Sequence, residues 1–508
     1  MQSSCKQVWG GWVALAIAVS ILAPGEVFAQ GCPGSGQQSS GPDVIVGTLG
    51  QIQSGQEMAN YSAASPYEAL SVGTTSCNLG NAQLRWDASP SLTHPVIGQN
   101  LFRLKQVNGA YRFEQVGQSW LKHGFTALQQ TACCSNCQSS GTGSRLGIGC
   151  SDPYTASRNG GQSSAGPKWA VNATTGAHTH PSGAPGFSGS VARRCRVRMT
   201  DLEQATTQLG AVRYYIEGQY VSPDDAEAGN KNNNASHRQV SVTVTTDGGG
   251  NVTSATFGYF GTNPNTETRR QEPGIQAWKN FDSSVTLTNV TTPEDANADP
   301  DLMVARVIVG AKATDLGGGQ WHYEYAVQNL NSDRSIYSFS IPVDPSVTVS
   351  NIDFRDVEYN DGDGESWVNR DGTNWTGVNS GGAVTWACAH TFAQNPNANA
   401  LRWGTMYNFR FDANVAPTTG NATLVQFKPG AQTLPASTVV PSVPTCSCPG
   451  DVNGDTFVDG GDIAEFTQMY IGAMGVGVCA QTAPPASGPL NSDDVDEFVN
   501  LLLIGGGC

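Results

Sequence analysis

Charged side chains are scarce in this chain of 508 residues. They make up 14% of it, and acidic residues outnumber basic ones so that the formal net charge is −15 at pH 7. A typical soluble domain carries about 25% charged residues. The sequence has no basic stripe that could follow a phosphate backbone, and an acidic surface repels polyanions. The composition therefore predicts no nucleic acid partner.

Low-complexity sequence is also lacking. The 60 glycines and 27 prolines fall short of the roughly 25–30% that marks such chains, and 38% of the residues are apolar. This excludes a disordered or collagen-like protein. At about 100 to 200 residues per domain, the length predicts two to four domains with at least one sizeable core.

The apolar stretch near the N-terminus is too short to span a membrane. It runs from Val8 to Leu22, 15 residues, where a membrane span needs about 20. Lys6 precedes it and Ala29 ends a small-residue cleavage pattern, an order typical of a secretory signal. We therefore predict a signal peptide over 1–29, a mature chain without a membrane span, and a secreted, extracellular or cell-surface location.

Twelve of the 13 cysteines lie beyond the predicted signal peptide. An even number in an exported chain indicates disulfide bonds, and we expect all twelve to be oxidised. Four of them cluster within 18 residues, at Cys133, Cys134, Cys137 and Cys150. A zinc site is the alternative for this cluster, but such sites normally offer two well-separated cysteine pairs.

Hydrophobic patterning predicts a mainly β protein. Residues 101–116 consist of two runs of β-forming residues around Asn108 and Gly109, the strongest short signal for a hairpin. We assign this hairpin to a Cys-rich β/loop domain over 30–230. Residues 231–430 alternate with period two between Gly, Asn and Asp turns, which predicts an antiparallel β-sandwich. A Pro, Ser and Thr-rich linker over 431–449 is expected to follow.

The C-terminal segment carries the most specific motif. Oxygen-bearing side chains stand at loop positions 1, 3, 5, 9 and 12, and the carbonyl of position 7 adds another oxygen. Ca²⁺ is bound by six to eight oxygens, and this spacing supplies them from one loop. One residue departs from the usual pattern, because Thr456 stands at position 6, where Gly is usual. We therefore predict a Ca²⁺ site formed by Asp451, Asn453, Asp455, Phe457, Asp459 and Asp462.

This loop and the amphipathic helix predicted to follow it resemble a type I dockerin repeat. The resemblance covers residues 450–508 and implies a second repeat, which would start at Ala483 and end at Asp494. Ala483, Pro485 and Ser487 stand at positions 1, 3 and 5 of that copy, so its calcium site is expected to be lost and its helix kept. Dockerins bind cohesin domains, so the resemblance implies a cohesin-like scaffold domain as partner. The main body is similar to uncharacterised exported bacterial proteins through segments 321–325 and 402–409, which implies no activity.

Other candidate sites are less specific. The histidines His94, His123, His178 and His180 could form a copper or zinc site, although their spacing does not indicate three ligands. The Asn360–Glu365 loop alternates carboxylates with glycine and could be either a second calcium loop or a polar hairpin tip. Sequence alone cannot pair the carboxylates required for glycoside hydrolysis. The candidates by location are Glu324, Asp353, Asp356 and Glu358.

These patterns favour an exported binding or structural protein. We expect a calcium-dependent dockerin-like module to attach it to a surface or scaffold, with a polysaccharide as a possible ligand of the body. The alternative is an extracellular enzyme on the same tether, either a glycan hydrolase or a histidine-metal oxidoreductase. No nucleophile elbow, phosphate loop or His-Glu-x-x-His motif is present to favour another reaction class.

Overall fold

The computed structural model describes most of the chain after residue 30. The described ranges are 31–50, 57–61, 66–87, 91–124, 126–179, 189–294, 303–442, 446, 448–483 and 489–507. The predicted signal peptide over 1–29 and the candidate ligand His180 lie outside these ranges.

The protein is mainly β-structure with antiparallel sheets. The first strands are β1 (Val44–Leu49), β2 (Met58–Tyr61), β3 (Tyr67–Val72), β4 (Thr74–Asn78), β5 (Leu84–Arg85), β6 (Val96–Val107), β7 (Ala110–Gln118), β8 (Leu121–His123), β9 (Arg145–Leu146), β10 (Ser151–Tyr154), β11 (Ala165–Gly166), β12 (Cys195–Arg198), β13 (Arg213–Val221), β14 (Ala235–Thr246) and β15 (Val252–Tyr259). The later strands are β16 (Thr286–Pro293), β17 (Val304–Gly317), β18 (Gln320–Asn329), β19 (Ile336–Pro342), β20 (Val349–Arg355), β21 (Thr376–Ser380), β22 (Ala383–Ala387), β23 (Thr405–Ala413), β24 (Pro417–Gln426), β25 (Thr433–Pro441), β26 (Phe457–Val458) and β27 (Gly506–Gly507).

Helices are few and short among the described residues. They are α1 (Ala156–Asn159), α2 (Pro223–Glu227), α3 (Pro264–Glu267), α4 (Gln276–Phe281), α5 (Ile463–Tyr470) and α6 (Ser492–Ile504). In the described part of the chain, none has the length and apolarity that crossing a membrane requires.

One large sheet dominates the N-terminal half. Its strand order is β15-β14-β13-β6-β7-β12-β3-β2, with β8 attached to β6 and β11 to β8. The predicted hairpin is confirmed as β6 and β7. Asn108 and Gly109 form its turn with φ of 51° and 87°, the left-handed conformation that a type I′ turn requires.

The large sheet extends beyond the predicted boundary at 230/231. Strand β14 pairs with β13 along Ala235–Val240, and β15 pairs with β14. The predicted junction therefore falls between neighbouring strands of one sheet. The physical reason is that Val240 and Val242 of β14 lie on one face of the strand and pack in the same core as Tyr214 and Ile216 of β13. The core of the large sheet therefore includes residues on both sides of the predicted boundary.

The cysteine cluster forms disulfide bonds, as predicted. Its bridges are Cys32–Cys134, Cys77–Cys133 and Cys137–Cys150, while Cys446–Cys479 closes the C-terminal segment and Cys448 is also disulfide-bonded. The expectation that all twelve are oxidised is wrong for Cys195 and Cys388, which are buried free thiols. They lie in the separate cores of the large sheet and the sandwich, so they cannot reach each other.

The second half forms a β-sandwich, in agreement with the prediction. Its two five-stranded sheets have the orders β16-β17-β18-β23-β20 and β21-β22-β19-β24-β25. Aromatic rings from both sheets meet in the core, where Phe409 of β23 lies 4.8 Å from Phe339 and 5.4 Å from Trp386 between ring centroids. Strand β25 pairs with β24 throughout, so the predicted linker over 431–449 begins with a strand of the sandwich.

The outer face of the sandwich is covered by the large sheet. Phe102 and Phe113 of the large sheet and Met406 of β23 share an apolar cluster with helix α4. The side chain of Asn408 donates to the carbonyl of Phe113 at 2.8 Å. The polar residues on this face of β18 and β23 are therefore buried between two sheets rather than exposed to solvent.

Candidate functional site

The predicted calcium loop leads directly into helix α5. Its chain reverses through Gly454 and Thr456, which have φ of 77° and 72°. Thr456 thus adopts the left-handed conformation at the position where such loops usually require Gly. The loop keeps the sharp turn even though the residue type departs from the usual one.

Asp451 at position 1 holds the first half of the loop. Its Oδ1 accepts backbone N–H groups of Gly454 at 2.8 Å and Asp455 at 3.1 Å, and its Oδ2 accepts that of Thr456 at 3.0 Å. The side chain is buried, with 8% exposed. These bonds wrap the backbone around one carboxylate, which explains why the loop folds locally.

Asp462 at position 12 closes the loop from its other end. Its Oδ1 accepts from the N–H groups of Val452 at 2.6 Å and Asn453 at 3.0 Å, and its Oδ2 accepts from Asp459 at 3.0 Å. Asp462 is fully buried. The two ends of the loop are therefore joined by a carboxylate that has no contact with solvent.

The remaining predicted ligands surround Gly461. A Cβ built on Gly461 would lie 3.0 Å from the side-chain nitrogen of Asn453, 3.0 Å from Oδ1 of Asp459 and 4.0 Å from Oδ2 of Asp455. Phe457, whose carbonyl is the predicted ligand at position 7, belongs to β26 and has an exposed ring. Carboxylate oxygens of Asp459 and Asp455 lie here beside the side-chain amide of Asn453, and carboxylate oxygen is the kind of ligand that a hard cation such as Ca²⁺ prefers.

One of the contacts of Asp462 recurs 32 residues later, in the predicted second repeat. Asp494 accepts the N–H of Asn491 at 3.0 Å, as Asp462 accepts that of Asp459. Phe498 on α6 stacks on its counterpart Phe466 on α5 with ring centroids 3.9 Å apart. The corresponding loop begins with Ala483, whose N–H donates to Asp494 at 3.1 Å. The repeat therefore keeps its closing carboxylate and helix without the first ligands.

The charge of the C-terminal segment is entirely negative. Residues 446–508 contain nine Asp and Glu residues and no Lys, Arg or His. Buried carboxylates without a compensating positive charge are costly. No basic side chain within the segment can supply that charge to Asp451 and Asp462.

Three of the four candidate histidines are brought together. Nε2 of His94 lies 2.8 Å from Nδ1 of His123, and the ring centroid of His178 lies 4.8 Å from that of His94 and 5.2 Å from that of His123. The antiparallel pairing of Val96 with His123 places the first two together. The spacing of the histidines does not show this pairing, and only a correct strand register could have predicted the cluster.

The candidate carboxylates of the body are held by basic side chains or amides. Glu324 and Asp353 both pair with Arg410, at 3.7 and 2.6 Å. Glu358 pairs with Arg196 at 3.1 Å and also with Arg198. The ion pairs of Arg410 join neighbouring strands of the sandwich, and those of Glu358 join the sandwich to the large sheet.

A polar cleft of about 610 Å³ lies where the large sheet meets the sandwich. Asp356 and Glu358 line it, together with Tyr67 and Arg196. Burial raises the pKa of Asp356 despite the hydrogen bond that Asn399 donates at 2.6 Å. Glu358 accepts a hydrogen bond from Tyr67. The cleft has the size of a small-ligand site.

The 360–365 loop also contributes to the domain contact. Asp363 is buried and its Oδ1 accepts the backbone N–H of Lys168 at 2.8 Å, while Asn360 donates to the carbonyl of Gln118 at 2.8 Å. Burial raises the pKa of Asp363. The Asp363 carboxylate and the Asn360 amide therefore form hydrogen bonds with the backbone of the large-sheet domain, as the side chains of a polar loop tip do.

No protein-family model and no curated protein matches the chain. Among solved structures it has a similarity to the N-terminal domain of the Streptococcus gordonii adhesin Sgo0707, with 9% sequence identity and a TM-score of 0.16. That alignment covers 79% of this chain and 98% of the other. A similarity this low does not identify a shared fold.

Proposed function

We propose that this is an exported binding or structural protein, attached to a surface or scaffold through a calcium-dependent, dockerin-like module at residues 450–508. The observation that carries the proposal is the geometry of the 451–462 loop. Its two buried carboxylates, Asp451 and Asp462, lie in a segment without basic residues, and the same short loop carries the carboxylates of Asp455 and Asp459. A Ca²⁺ ion bound there compensates that charge.

The paired repeats support a dockerin-like module. Equivalent carboxylates close both loops, and equivalent phenylalanines stack between the two helices. Calcium at the first loop stabilises helix α5, which starts at Ile463, and the stacked rings of Phe466 and Phe498 pass that stability to α6. One ion thereby orders both helices of the module.

Exposed apolar side chains on the module support a protein partner. Large hydrophobic residues with at least 44% exposure are concentrated there, namely Phe457, Ile463, Tyr470, Ile471, Met474, Val499, Leu503 and Ile504. Apolar surface of this kind marks interaction sites. Gly460 and Gly461 offer no side chains to a partner, so we assign recognition of a cohesin-like domain to the exposed helix residues.

For the body we propose binding rather than catalysis. Glu324, Asp353 and Glu358 are engaged in ion pairs with arginine side chains, and we assign them this structural role. The polar cleft beside Glu358 is the candidate site for a polysaccharide. The disulfide bonds are consistent with the exported location in which such a ligand would be met.

Calorimetric titration of the full chain with Ca²⁺ tests the attachment module. We expect one strong site, its loss in Asp451→Ala, and an unchanged affinity in Asp496→Asn. This control removes one acidic charge from an exposed position on α6 and leaves the loop intact. Two equivalent strong sites, or an unaltered titration in Asp451→Ala, would contradict the proposal.

A binding assay against a panel of immobilised cohesin domains tests the partner. We expect capture of the full chain with Ca²⁺ present and release by chelator. Leu503→Asp combined with Ile504→Asp should abolish capture and leave calcium binding intact, because these side chains are about 80% exposed at the end of α6. Capture that is insensitive to calcium would contradict the attachment mechanism.

A further inference from the structure

A second kind of metal site is indicated in the large-sheet domain, independent of the calcium loop. His94, His123 and His178 each offer a ring nitrogen, and these atoms lie within 4.8 Å of one another. Two of them, Nε2 of His94 and Nδ1 of His123, are 2.8 Å apart. Three nitrogens bound to one tetrahedral Zn²⁺ at 2.0–2.1 Å would be about 3.3 Å apart. The cluster therefore needs only small side-chain movements to surround an ion.

Hydrogen bonds set the orientation of two of the rings. Nδ1 of His94 lies 3.0 Å from the carbonyl oxygen of Asp87, which only accepts, so Nδ1 carries the proton and Nε2 carries the lone pair. Nε2 of His178 lies 3.0 Å from the carbonyl of His94, which leaves the lone pair on Nδ1 of His178. Metal-binding histidines characteristically donate their other N–H to a backbone carbonyl in this way.

The supporting carbonyl of Asp87 is itself held in place. It also accepts the backbone N–H groups of Thr93 at 3.2 Å and His94 at 3.1 Å. The side chain of Asp87 pairs with Arg145 at 2.7 Å and accepts from the Thr93 hydroxyl at 3.0 Å. The ring of His94 is thus bonded to Asp87, a residue that makes four further contacts.

The three histidines come from rigid parts of the fold. His123 ends β8 and pairs with Val96 of β6, two residues after His94. His178 forms a β-bridge with Val171, which packs in an apolar cluster with Val96 and Leu121. The exposed fractions of His94, His123 and His178 are 0, 1 and 9%. The three rings are therefore shielded from bulk water.

We propose that His94, His123 and His178 bind one divalent transition-metal ion of the Zn²⁺ class. Three neutral imidazoles suit Zn²⁺, Cu²⁺, Ni²⁺ or Co²⁺ and do not suit Ca²⁺, which prefers oxygen. The ion joins the loop before β6, the end of β8 and the 171–178 loop. That last loop contacts the sandwich, because Trp403 donates to the carbonyl of Val171 at 3.1 Å. Metal at this site therefore supports the contact between the two domains.

Titration of the metal-free full chain with Co²⁺, with Ca²⁺ in excess to saturate the C-terminal loop, tests the proposal. We expect one equivalent to bind and to give the visible absorption of nitrogen-ligated Co²⁺, which one equivalent of Zn²⁺ then displaces. His178→Gln should weaken binding by at least about 100-fold. Its amide can still donate to the His94 carbonyl, and His178 is the most exposed of the three, so this variant is expected to fold.

The matched control is His390→Gln, which removes a histidine with a 48% exposed side chain from the sandwich domain. It should leave the Co²⁺ spectrum and affinity unchanged. Near-ultraviolet circular dichroism of metal-free His178→Gln should match that of the unmodified chain, which separates lost ligation from lost folding. Absence of a Co²⁺ spectrum, or equal affinity in the unmodified chain and in a folded His178→Gln variant, would overturn the proposal.

Discussion

Glu324 of the sandwich forms an ion pair with Arg112 of the large sheet, and Oε2 of Glu324 lies 3.2 Å from Nε of Arg112. The glutamate side chain is 1% exposed and also lies 3.7 Å from Arg410. Strand β18 therefore presents its polar face to the neighbouring domain. Glu324 was a candidate for glycoside hydrolysis by its location in the sequence. In the structure it forms a charged contact between the two domains instead.

Glu324→Gln should lower the free energy of unfolding by about 3–5 kcal/mol. The change leaves the charges of Arg112 and Arg410 in a buried interface without their shared partner. Urea denaturation at neutral pH measures the loss. Glu365→Gln, at an exposed position, is the control and should change stability by less than about 0.5 kcal/mol. Equal effects of the two variants would show that Glu324 does not stabilise the interface.

The stability supplied by His322 should depend on pH. Burial alone would lower its pKa, but Glu324 and Asp412 accept hydrogen bonds from the ring at 3.1 and 2.6 Å, and their charges outweigh burial and raise the pKa. Because the pKa of His322 is raised in the folded protein, its contribution to the free energy of unfolding is fully present below the ordinary histidine pKa of about 6.5. That contribution is lost as the pH rises through the pKa of His322 in the folded protein.

We therefore expect His322→Gln to destabilise the protein most near about pH 6 and progressively less at higher pH. Paired urea denaturation curves of the unmodified chain and the variant, measured across this range, give the difference directly. A destabilisation that grows with pH would contradict the assignment of a protonated His322 between two carboxylates.

The chain lacking residues 1–29 should contain two thiols that are unreactive until it unfolds. Cys195 and Cys388 are buried, and burial raises the pKa of Cys195 to about 12. Thiolate is the reactive form, so alkylation of the native protein should be slow. Titration in denaturant should give about two thiols, and one in either Cys195→Ser or Cys388→Ser. Rapid labelling of the native protein would refute the buried positions.

Asp494→Ala should weaken the second helix without removing the calcium site. Asp494 and Asn491 form a capping box at the start of α6. Loss of such a cap costs about 0.5–2 kcal/mol. Circular dichroism of the full chain during heating monitors this loss. The melting temperature of the transition that belongs to the C-terminal segment should be lower in the variant. Calcium stoichiometry should stay at one, since the loop of Asp494 has Ala483 at its first position.

Local patterns in the sequence were sufficient for the parts of the fold that depend on neighbouring residues. The turn at Asn108 and Gly109 and the period-two alternation in β18 and β23 each depend on backbone conformation and side-chain direction within a few residues. Each is found where it was predicted. The ligand spacing of the 451–462 loop is local in the same sense, and the calcium site that it indicates stays a prediction.

Features that depend on distant segments were decided only by the tertiary structure. The pairing of β14 with β13 continues the large sheet past residue 231, and the covering sheet buried the polar face that includes Glu324. Cys195 and Cys388 stayed reduced because they belong to different cores. His94 and His123 met because β6 and β8 pair in one register, and His178 reaches them from a segment that forms a β-bridge with Val171. Contacts of this kind depend on how strands far apart in sequence align, and residue spacing along the chain does not encode that alignment.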